Sequence, residues 1–83
     1  MKLKVRYFAS IREALGPLDE IDAPAGATLA QLRDLLIAHS PKHAAALDRQ
    51  RALRCALNLA LADESAVIPE DAEVAFFPPV TGG

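Results

Sequence analysis

The chain has 83 residues, of which 52% are hydrophobic and 24% charged, and its formal net charge is −2. This length leaves room for one domain, while the composition excludes a disordered charged tail and lacks the basic character of a nucleic-acid binder. The single cysteine excludes an internal disulfide, and with no membrane-length apolar run or signal-peptide pattern the sequence predicts a cytoplasmic protein away from membranes.

The chain opens on a predicted strand over residues 2–7, where apolar residues alternate with Lys and Arg. This period of two predicts one buried face, formed by Leu3, Val5 and Tyr7. The opposite stripe, which holds Lys2, Lys4 and Arg6, is expected to be solvated. A short helical turn follows, since Ser10 and Glu13 have capping-box spacing. Gly16 suits the left-handed position that ends such a turn.

A weaker strand covers residues 18–23. Thr28 and Gln31 then form a second capping box, which opens a long helix that runs to His39. One face of this helix is apolar at the spacing of an amphipathic helix, through Leu29, Leu32, Leu35 and Leu36. Pro41 ends it, because proline disfavours helical geometry at the residue before it.

An Ala-rich segment, 42–50, predicts a second short helix. Alternation over 53–57 predicts a strand in which Cys55 is a buried thiol, and burial makes a thiol unreactive. Asn58 is a turn residue that precedes a short apolar run. Residues 73–77 are the final predicted strand, and the diproline after them stops it because proline cannot donate a ladder hydrogen bond.

The element order is therefore strand, strand, long helix and then two or three strands. The helix must cover one face of the sheet. If the last strand lies beside the first, the sheet is mixed and the helix crosses it. This α+β arrangement is the β-grasp, or ubiquitin-like, fold. We expect residues 1–77 to form the domain and residues 78–83 to form a flexible C-terminal tail.

The tail, Pro78-Pro79-Val80-Thr81-Gly82-Gly83, has features that fraying alone does not explain. A diproline favours the extended polyproline geometry. Glycine lacks Cβ, so a narrow channel can admit the backbone and a nucleophile can approach the terminal carbonyl. The α-carboxylate of Gly83 is inert until activated, which requires a partner that uses ATP. The residues expected to insert into a partner's deep pocket are Val80, Thr81 and Gly82.

The last thirteen residues, which end in Phe-Phe-Pro-Pro-Val-Thr-Gly-Gly, resemble the C-terminus of the molybdopterin synthase small subunits, a family of sulfur carriers. The segment Tyr7-Phe8-Ala9-Ser10-Ile11-Arg12-Glu13 is similar to that family's Phe-Ala-x-x-Arg-Glu segment. Asn58 also lies where these proteins often carry Asn. Asp71-Ala72 departs from the family's Gly-Asp, but Asp tolerates a left-handed turn.

The resemblance implies a carrier cycle. An E1-like adenylating enzyme would attach AMP to Gly83, and a persulfide sulfur donor would replace AMP with sulfur. The resulting thiocarboxylate would insert into the large synthase subunit and donate sulfur to cyclic pyranopterin monophosphate, forming the dithiolene. The chain would be a non-catalytic carrier subunit that binds no cofactor permanently, with ATP used by the activating partner. The family also implies a heterotetramer with the large subunit.

Parity places Phe8 and Phe77 on the sheet face away from the helix, because each is one residue out of phase with its buried set. These two side chains are expected to bind the large subunit, with Leu61 as a neighbour. Arg12 is a further partner-binding candidate from the family's segment. His39 and His43 have a spacing that can bind metal, but the proline between them favours two solvated histidines, and no metal site is predicted.

Other functions remain open at this point. A bare Gly-Gly ending would also fit a ubiquitin-like modifier whose Gly83 is joined to lysines, or a carrier of the thiazole-pathway type. A plain interaction module would keep its function after the glycines were trimmed. The sequence offers no Ser/His/Asp set, metal cluster or phosphate-binding glycine loop for a self-contained enzyme.

Overall fold

The structure is a computed structural model, and it describes residues 1–79. In chain order the elements are β1 (Lys2–Tyr7), α1 (Ala9–Leu15), β2 (Leu18–Asp22), α2 (Leu29–Ile37), α3 (Pro41–Leu47), β3 (Arg54–Leu57), β4 (Ala60–Ala62) and β5 (Glu73–Phe77). Within this part of the chain no helix has the length and apolar character needed to cross a membrane.

The five strands form one sheet in the order β2-β1-β5-β3-β4. β1 pairs antiparallel with β2 and parallel with β5. β5 in turn pairs antiparallel with β3, which forms a hairpin with β4. The last strand along the chain is therefore the middle strand of a mixed sheet. This topology confirms the predicted β-grasp fold.

The core lies between the sheet and α2. The predicted inward residues of β1 are buried, as are Val74 and Phe76 of β5. Leu29, Leu32 and Leu36 of α2 pack onto them. The prediction for Leu35 is wrong, because this side chain is 39% exposed. Successive helical residues are about 100° apart, so Leu35 lies beyond the edge of the stripe that its neighbours form.

A buried arginine closes the loop between α3 and β3. Arg33 of α2 is only 3% exposed. Its Nε donates to the Leu47 carbonyl at 2.8 Å, and its Nη2 donates to the carbonyls of both Asp48 and Arg51. Nη1 also forms an ion pair with Glu64 at 2.7 Å. The side chain thus satisfies three carbonyls at the end of α3 and in the loop that follows it, as burial of polar groups requires.

The two predicted capping boxes have different outcomes. At α2, the Thr28 hydroxyl accepts from the Gln31 amide at 3.2 Å, and Gln31 accepts from the Thr28 amide at 2.9 Å. The box predicted at Ser10 is wrong, because α1 begins at Ala9 and its N-cap residue is Phe8. Ser10 is consequently inside the first turn, where its hydroxyl does not cap the helix. α3 is also shorter than the predicted segment, 42–50.

A chain of polar contacts joins β1, β2 and α3. The Tyr7 hydroxyl donates to Asp19 Oδ2 at 2.9 Å, and the same oxygen lies 2.7 Å from His43 Nε2. His43 Nδ1 lies 2.6 Å from the Ser40 hydroxyl, which also accepts from the His43 amide. The expectation of a solvated histidine is therefore wrong for His43, which is 9% exposed, whereas His39 is exposed. Burial, followed by the bond to Asp19, raises the pKa of Tyr7.

Candidate functional site

A row of residues crosses the outer face of the sheet, away from the helices. Arg6 of β1 is the register partner of Ala75, Ala75 of Ala56, and Ala56 of Leu61. The neighbouring positions, such as Phe76, face the core. Because the two middle positions of the row hold alanine, whose side chains are short, the outer face of the sheet is concave at the centre of the row.

The sheet-face depression lies over these alanines and has a volume of about 230 Å³. Its walls hold Phe8 at the end of β1, Phe77 at the end of β5, and Leu61 of β4. Phe8 is 44% exposed and Leu61 is 74% exposed, while Phe77 is half-buried. The structure thus brings together three of the four residues expected to bind a partner. Arg12 is exposed on α1 and does not line the depression.

The depression has one wall that the sequence analysis missed. Leu59 lines it from the tip of the β3–β4 hairpin and is 95% exposed. Asn58 and Leu59 have φ values of 48° and 71°. Positive φ at both central residues is the signature of a type I′ hairpin turn, which usually holds Asn and Gly. The sequence signal for this wall was a leucine at the second position of a two-residue turn, where glycine is usual.

Asn58 joins this hairpin to the start of β5. Its side-chain oxygen accepts from the Glu73 amide at 3.0 Å, and its own amide donates to the Glu73 carbonyl at 2.9 Å. The predicted turn role of Asn58 is confirmed, and these two bonds fix the position of Leu59 relative to the depression. Asp71, just before β5, has the left-handed conformation expected for it, with a φ of 61°.

The polar side of the depression is an ion pair. Arg6 Nε donates to Glu73 Oε1 at 2.8 Å, and both side chains are partly exposed. Arg6 is exposed, as expected for a residue of the basic stripe, and it also pairs with Glu73 of the neighbouring strand. An exposed pair of this kind contributes little to stability, about 0–1 kcal/mol. Its position beside the apolar walls matches the polar rim that surrounds the core of a protein interface.

Unfavourable backbone geometry occurs on both sides of the depression. Ala9 directly follows Phe8 and has a φ of 53°, and Leu59 on the opposite wall has a φ of 71°. For residues with a Cβ the left-handed region costs roughly 1–2 kcal/mol. Such conformations persist where the surrounding structure holds them, and they cluster at functional sites. Ala9 directly follows Phe8, and Leu59 is itself a wall residue, so each unusual backbone conformation lies beside a large apolar side chain of the same depression.

The tail begins next to this surface. β5 ends at Phe77, and Pro78 and Pro79 are partly buried. The residues expected to act in sulfur transfer or insertion, Val80, Thr81, Gly82 and Gly83, lie outside the described residues. A fully extended stretch of six residues spans about 20 Å.

Cys55 has no role in this surface. Its side chain is buried, as predicted, and its Sγ contacts the Ala62 carbonyl at 3.3 Å. Burial, followed by the negative charges of Glu64 and Asp63, raises the pKa of the thiol. Reactive cysteines need a lowered pKa and access to solvent. Among residues 1–79, no three His, Cys, Asp or Glu side chains are grouped so that they could hold a metal ion.

Comparison with known proteins gives consistent results over the whole chain. Residues 5–83 match the ThiS family. The molybdopterin synthase sulfur carrier subunit of Escherichia coli (strain K12) is 38% identical over 81 residues, spanning 98% of this chain and 99% of that protein. In a solved complex of subunits 1 and 2 of the molybdopterin-converting factor from Helicobacter pylori 26695, a chain aligns with a TM-score of 0.67 and 27% identity, with full coverage of both chains.

A further solved structure supports the fold alone. The small archaeal modifier protein 1 of H. volcanii aligns with a TM-score of 0.77 over 95% of this chain and 98% of that chain, at 22% identity. The same fold therefore occurs in proteins whose names give different roles.

Proposed function

The chain belongs to the ThiS family, and we propose that it is the small, sulfur-carrying subunit of a molybdopterin synthase. The observation that carries this proposal is the 38% identity, over nearly the full length of both chains, with a sulfur carrier subunit of that enzyme. The Phe-Phe-Pro-Pro-Val-Thr-Gly-Gly ending supports the same role, since glycine lacks Cβ and leaves its carboxylate open to a nucleophile.

In the proposed cycle the first step activates Gly83. Its carboxylate attacks the α-phosphate of ATP on an E1-like enzyme, giving an acyl-adenylate and releasing pyrophosphate. The terminal sulfur of a donor persulfide then attacks the acyl carbon and expels AMP, which leaves an acyl disulfide. A thiol attacks the donor's sulfur, so the donor is released as a disulfide and Gly83 retains a thiocarboxylate. Because activation consumes ATP, the proposal assigns the cycle to the cytoplasm.

In the second half of the proposed cycle, the sheet-face depression docks on the large synthase subunit and the tail enters that subunit's active site. The thiocarboxylate donates its sulfur to cyclic pyranopterin monophosphate, and water restores the carboxylate. A dithiolene has two sulfur atoms, so two charged carriers serve each product, consistent with a heterotetramer. The small subunit supplies the reacting sulfur atom, and the large subunit supplies the catalytic side chains.

The exposed apolar walls of the depression support this docking. Leu59, Leu61 and Phe8 are all exposed around an alanine floor. Aromatic side chains are enriched in the buried core of interfaces, and charged groups are found at the rim. The ion pair of Arg6 with Glu73 occupies such a rim position.

The experiment that tests the function is intact-mass analysis of the chain purified from its own cells. We expect a fraction that is heavier by the mass difference between one sulfur and one oxygen, located on Gly83 by fragmentation. Adding one alanine after Gly83 should abolish adenylation and product formation in a reconstituted synthase, while thermal unfolding stays unchanged. Normal product formation by the extended chain would contradict the proposal. An isopeptide between Gly83 and lysines of other proteins would favour a modifier instead.

A further inference from the structure

A second concave surface lies on the helical side of the molecule, between α1 and α3. Its volume is about 420 Å³, within the roughly 300–1,000 Å³ of pockets that hold small ligands. The floor of this helix groove is apolar and small, and it consists of Ile11, Ala14, Ala45 and Ala46. No residue of the sheet-face depression lines it.

The rim of the helix groove is positively charged. Lys42 and Arg51 both line it and both are exposed. Neither forms a salt bridge with any other residue of the range 1–79. No acidic side chain lines the groove. Two cations over an alanine-rich floor fit a carboxylate that is attached to small, apolar residues, because the floor accepts small side chains and the rim attracts negative charge.

The sheet register places this groove at the end of the molecule where the tail emerges. Phe76 is paired with Tyr7 in the parallel strand β1, which leads directly into α1 and so to Ile11. Phe77 is paired with Arg54 at the start of β3. Because β3 runs antiparallel to β5, the residues before β3, including Arg51, lie at the edge of the sheet where β5 ends. The α1 side of the groove follows β1 and the Arg51 side precedes β3. The end of β5 therefore lies between the two sides.

We propose that the chain's own tail, residues 80–83, docks in the helix groove, with the Gly83 carboxylate held by Lys42 and Arg51. Four residues reach about 13 Å when extended, and their side chains are one valine, one threonine and two glycines. The valine fits the apolar floor, and the terminal carboxylate supplies the charge that the rim lacks. The groove and the sheet-face depression lie on opposite sides of the sheet.

The consequence deepens the proposed function and rests on it. A docked carboxylate is withheld from the activating enzyme and from the large subunit until a partner extracts the tail. Docking thus competes with insertion, since a single carboxylate cannot occupy both sites. Only the undocked fraction of the chain can bind a partner, so the apparent affinity of that partner is the intrinsic affinity multiplied by this fraction. Docking therefore slows the activation of Gly83.

The docking is tested on the isolated, isotope-labelled chain by NMR. We expect nuclear Overhauser contacts between the Val80 methyls and the methyls of Ala14 and Ala45. The double variant Lys42→Ala/Arg51→Ala should lose these contacts. The matched control Lys2→Ala/Lys4→Ala removes the same charge from the sheet and should keep them. Absence of the contacts in the unaltered chain, or their persistence in the Lys42→Ala/Arg51→Ala variant, would overturn the proposal.

A second variant protects this test against a change in folding. Ala45→Glu places a negative charge on an exposed helical position of the groove and should abolish the contact between the Val80 and Ala14 methyls without lowering the thermal unfolding temperature. Contacts that survive this substitution would overturn the proposed position of the carboxylate.

Adenylation of Gly83 is then measured at low concentration of the activating enzyme. We expect the Lys42→Ala/Arg51→Ala variant to react about three to ten times faster than its control, the size expected for losing two exposed charge pairs. An equal rate would overturn the competition. A chain that shows the NMR contacts but is never adenylated would contradict the proposed function and leave the docking intact.

Discussion

The side chains of Phe8 and Phe77 line one depression on the outer face of the sheet. They meet there because the residues just before them, Tyr7 and Phe76, are register partners in the parallel pair of β1 and β5. The inner pair is fully buried in the core, and the outer pair contacts solvent. We therefore expect stability and partner binding to depend on adjacent residues of the same two strands.

This separation predicts different effects for two neighbouring substitutions. Phe77→Ala should weaken binding to the large subunit by on the order of 2 kcal/mol, as expected for an aromatic anchor, with a smaller loss of unfolding free energy. The matched control Phe76→Ala removes a core side chain and should lower the unfolding free energy by about 3–5 kcal/mol. Calorimetric titration and urea unfolding measure the two effects. Normal binding by Phe77→Ala, together with a large loss of stability, would contradict the assignment.

Leu59 offers a test of strain at the hairpin tip. Leu59→Gly and Leu59→Ala both remove an exposed side chain, so neither loses core packing. Only glycine relieves the positive φ, and we expect Leu59→Gly to be the more stable of the two by about 1 kcal/mol. Both variants should bind the large subunit more weakly. Urea unfolding and titration of the two variants check this, and equal stabilities would show that the backbone at Leu59 is not strained.

Tyr7 predicts a loss of stability at alkaline pH. Its pKa is raised in the folded chain by burial and by Asp19, so the folded chain keeps the phenol proton where the unfolded chain has lost it. The contribution of Tyr7 is therefore fully present below the unfolded pKa of about 10 and declines as pH rises above it. Unfolding free energies between pH 8 and pH 11 should fall more steeply in the unaltered chain than in Tyr7→Phe. Parallel curves would contradict this prediction.

Tyr7→Phe also has an expected cost at neutral pH. The substitution removes the bond to Asp19 but leaves that carboxylate in contact with His43. We therefore expect only about 1 kcal/mol of lost stability at pH 7, the net value of one hydrogen bond. The chain holds a single tyrosine, so its ultraviolet titration follows the ionisation of Tyr7 alone.

Cys55 predicts a negative result in sulfur transfer. Its thiol is buried and its pKa is raised, so the folded chain should react slowly with thiol reagents at pH 8 and rapidly once urea unfolds it. Cys55→Ala should accept sulfur on Gly83 at the normal rate in a reconstituted system. Loss of thiocarboxylate in this variant, with the fold intact, would assign Cys55 a relay role.

The strands and the core were predictable because their signals are local. An alternation of two residues identifies the buried face of β1, and parity then assigns Phe8 and Phe77 to the opposite face. The capping box of Thr28 with Gln31 likewise depends on residues that are close in sequence. Side-chain direction in a strand follows from position alone, which explains why the sheet face of these two residues was predicted correctly.

The errors at Ser10 and Leu35 are local, but the sequence also did not reveal burial that depends on partners far away along the chain. His43 is buried because Asp19 reaches it from β2, and Arg33 is buried because the loop after α3 presents carbonyls to it. No local pattern encodes these contacts. Leu59 was missed for a related reason, since its exposure depends on the turn type that pairing of β3 with β4 imposes.

The position of β5 also determines how the domain responds to mechanical load. A partner that grips the chain beyond Pro79 pulls along the axis of β5, which is hydrogen-bonded to β1 on one side and to β3 on the other. Ladder bonds run across the strands, so this tension loads both ladders in shear at the same time. Pulling on an edge strand such as β4 from the side would instead open its bonds one after another. The central position of β5 therefore makes the domain resistant to unfolding when a partner pulls on its C-terminal end.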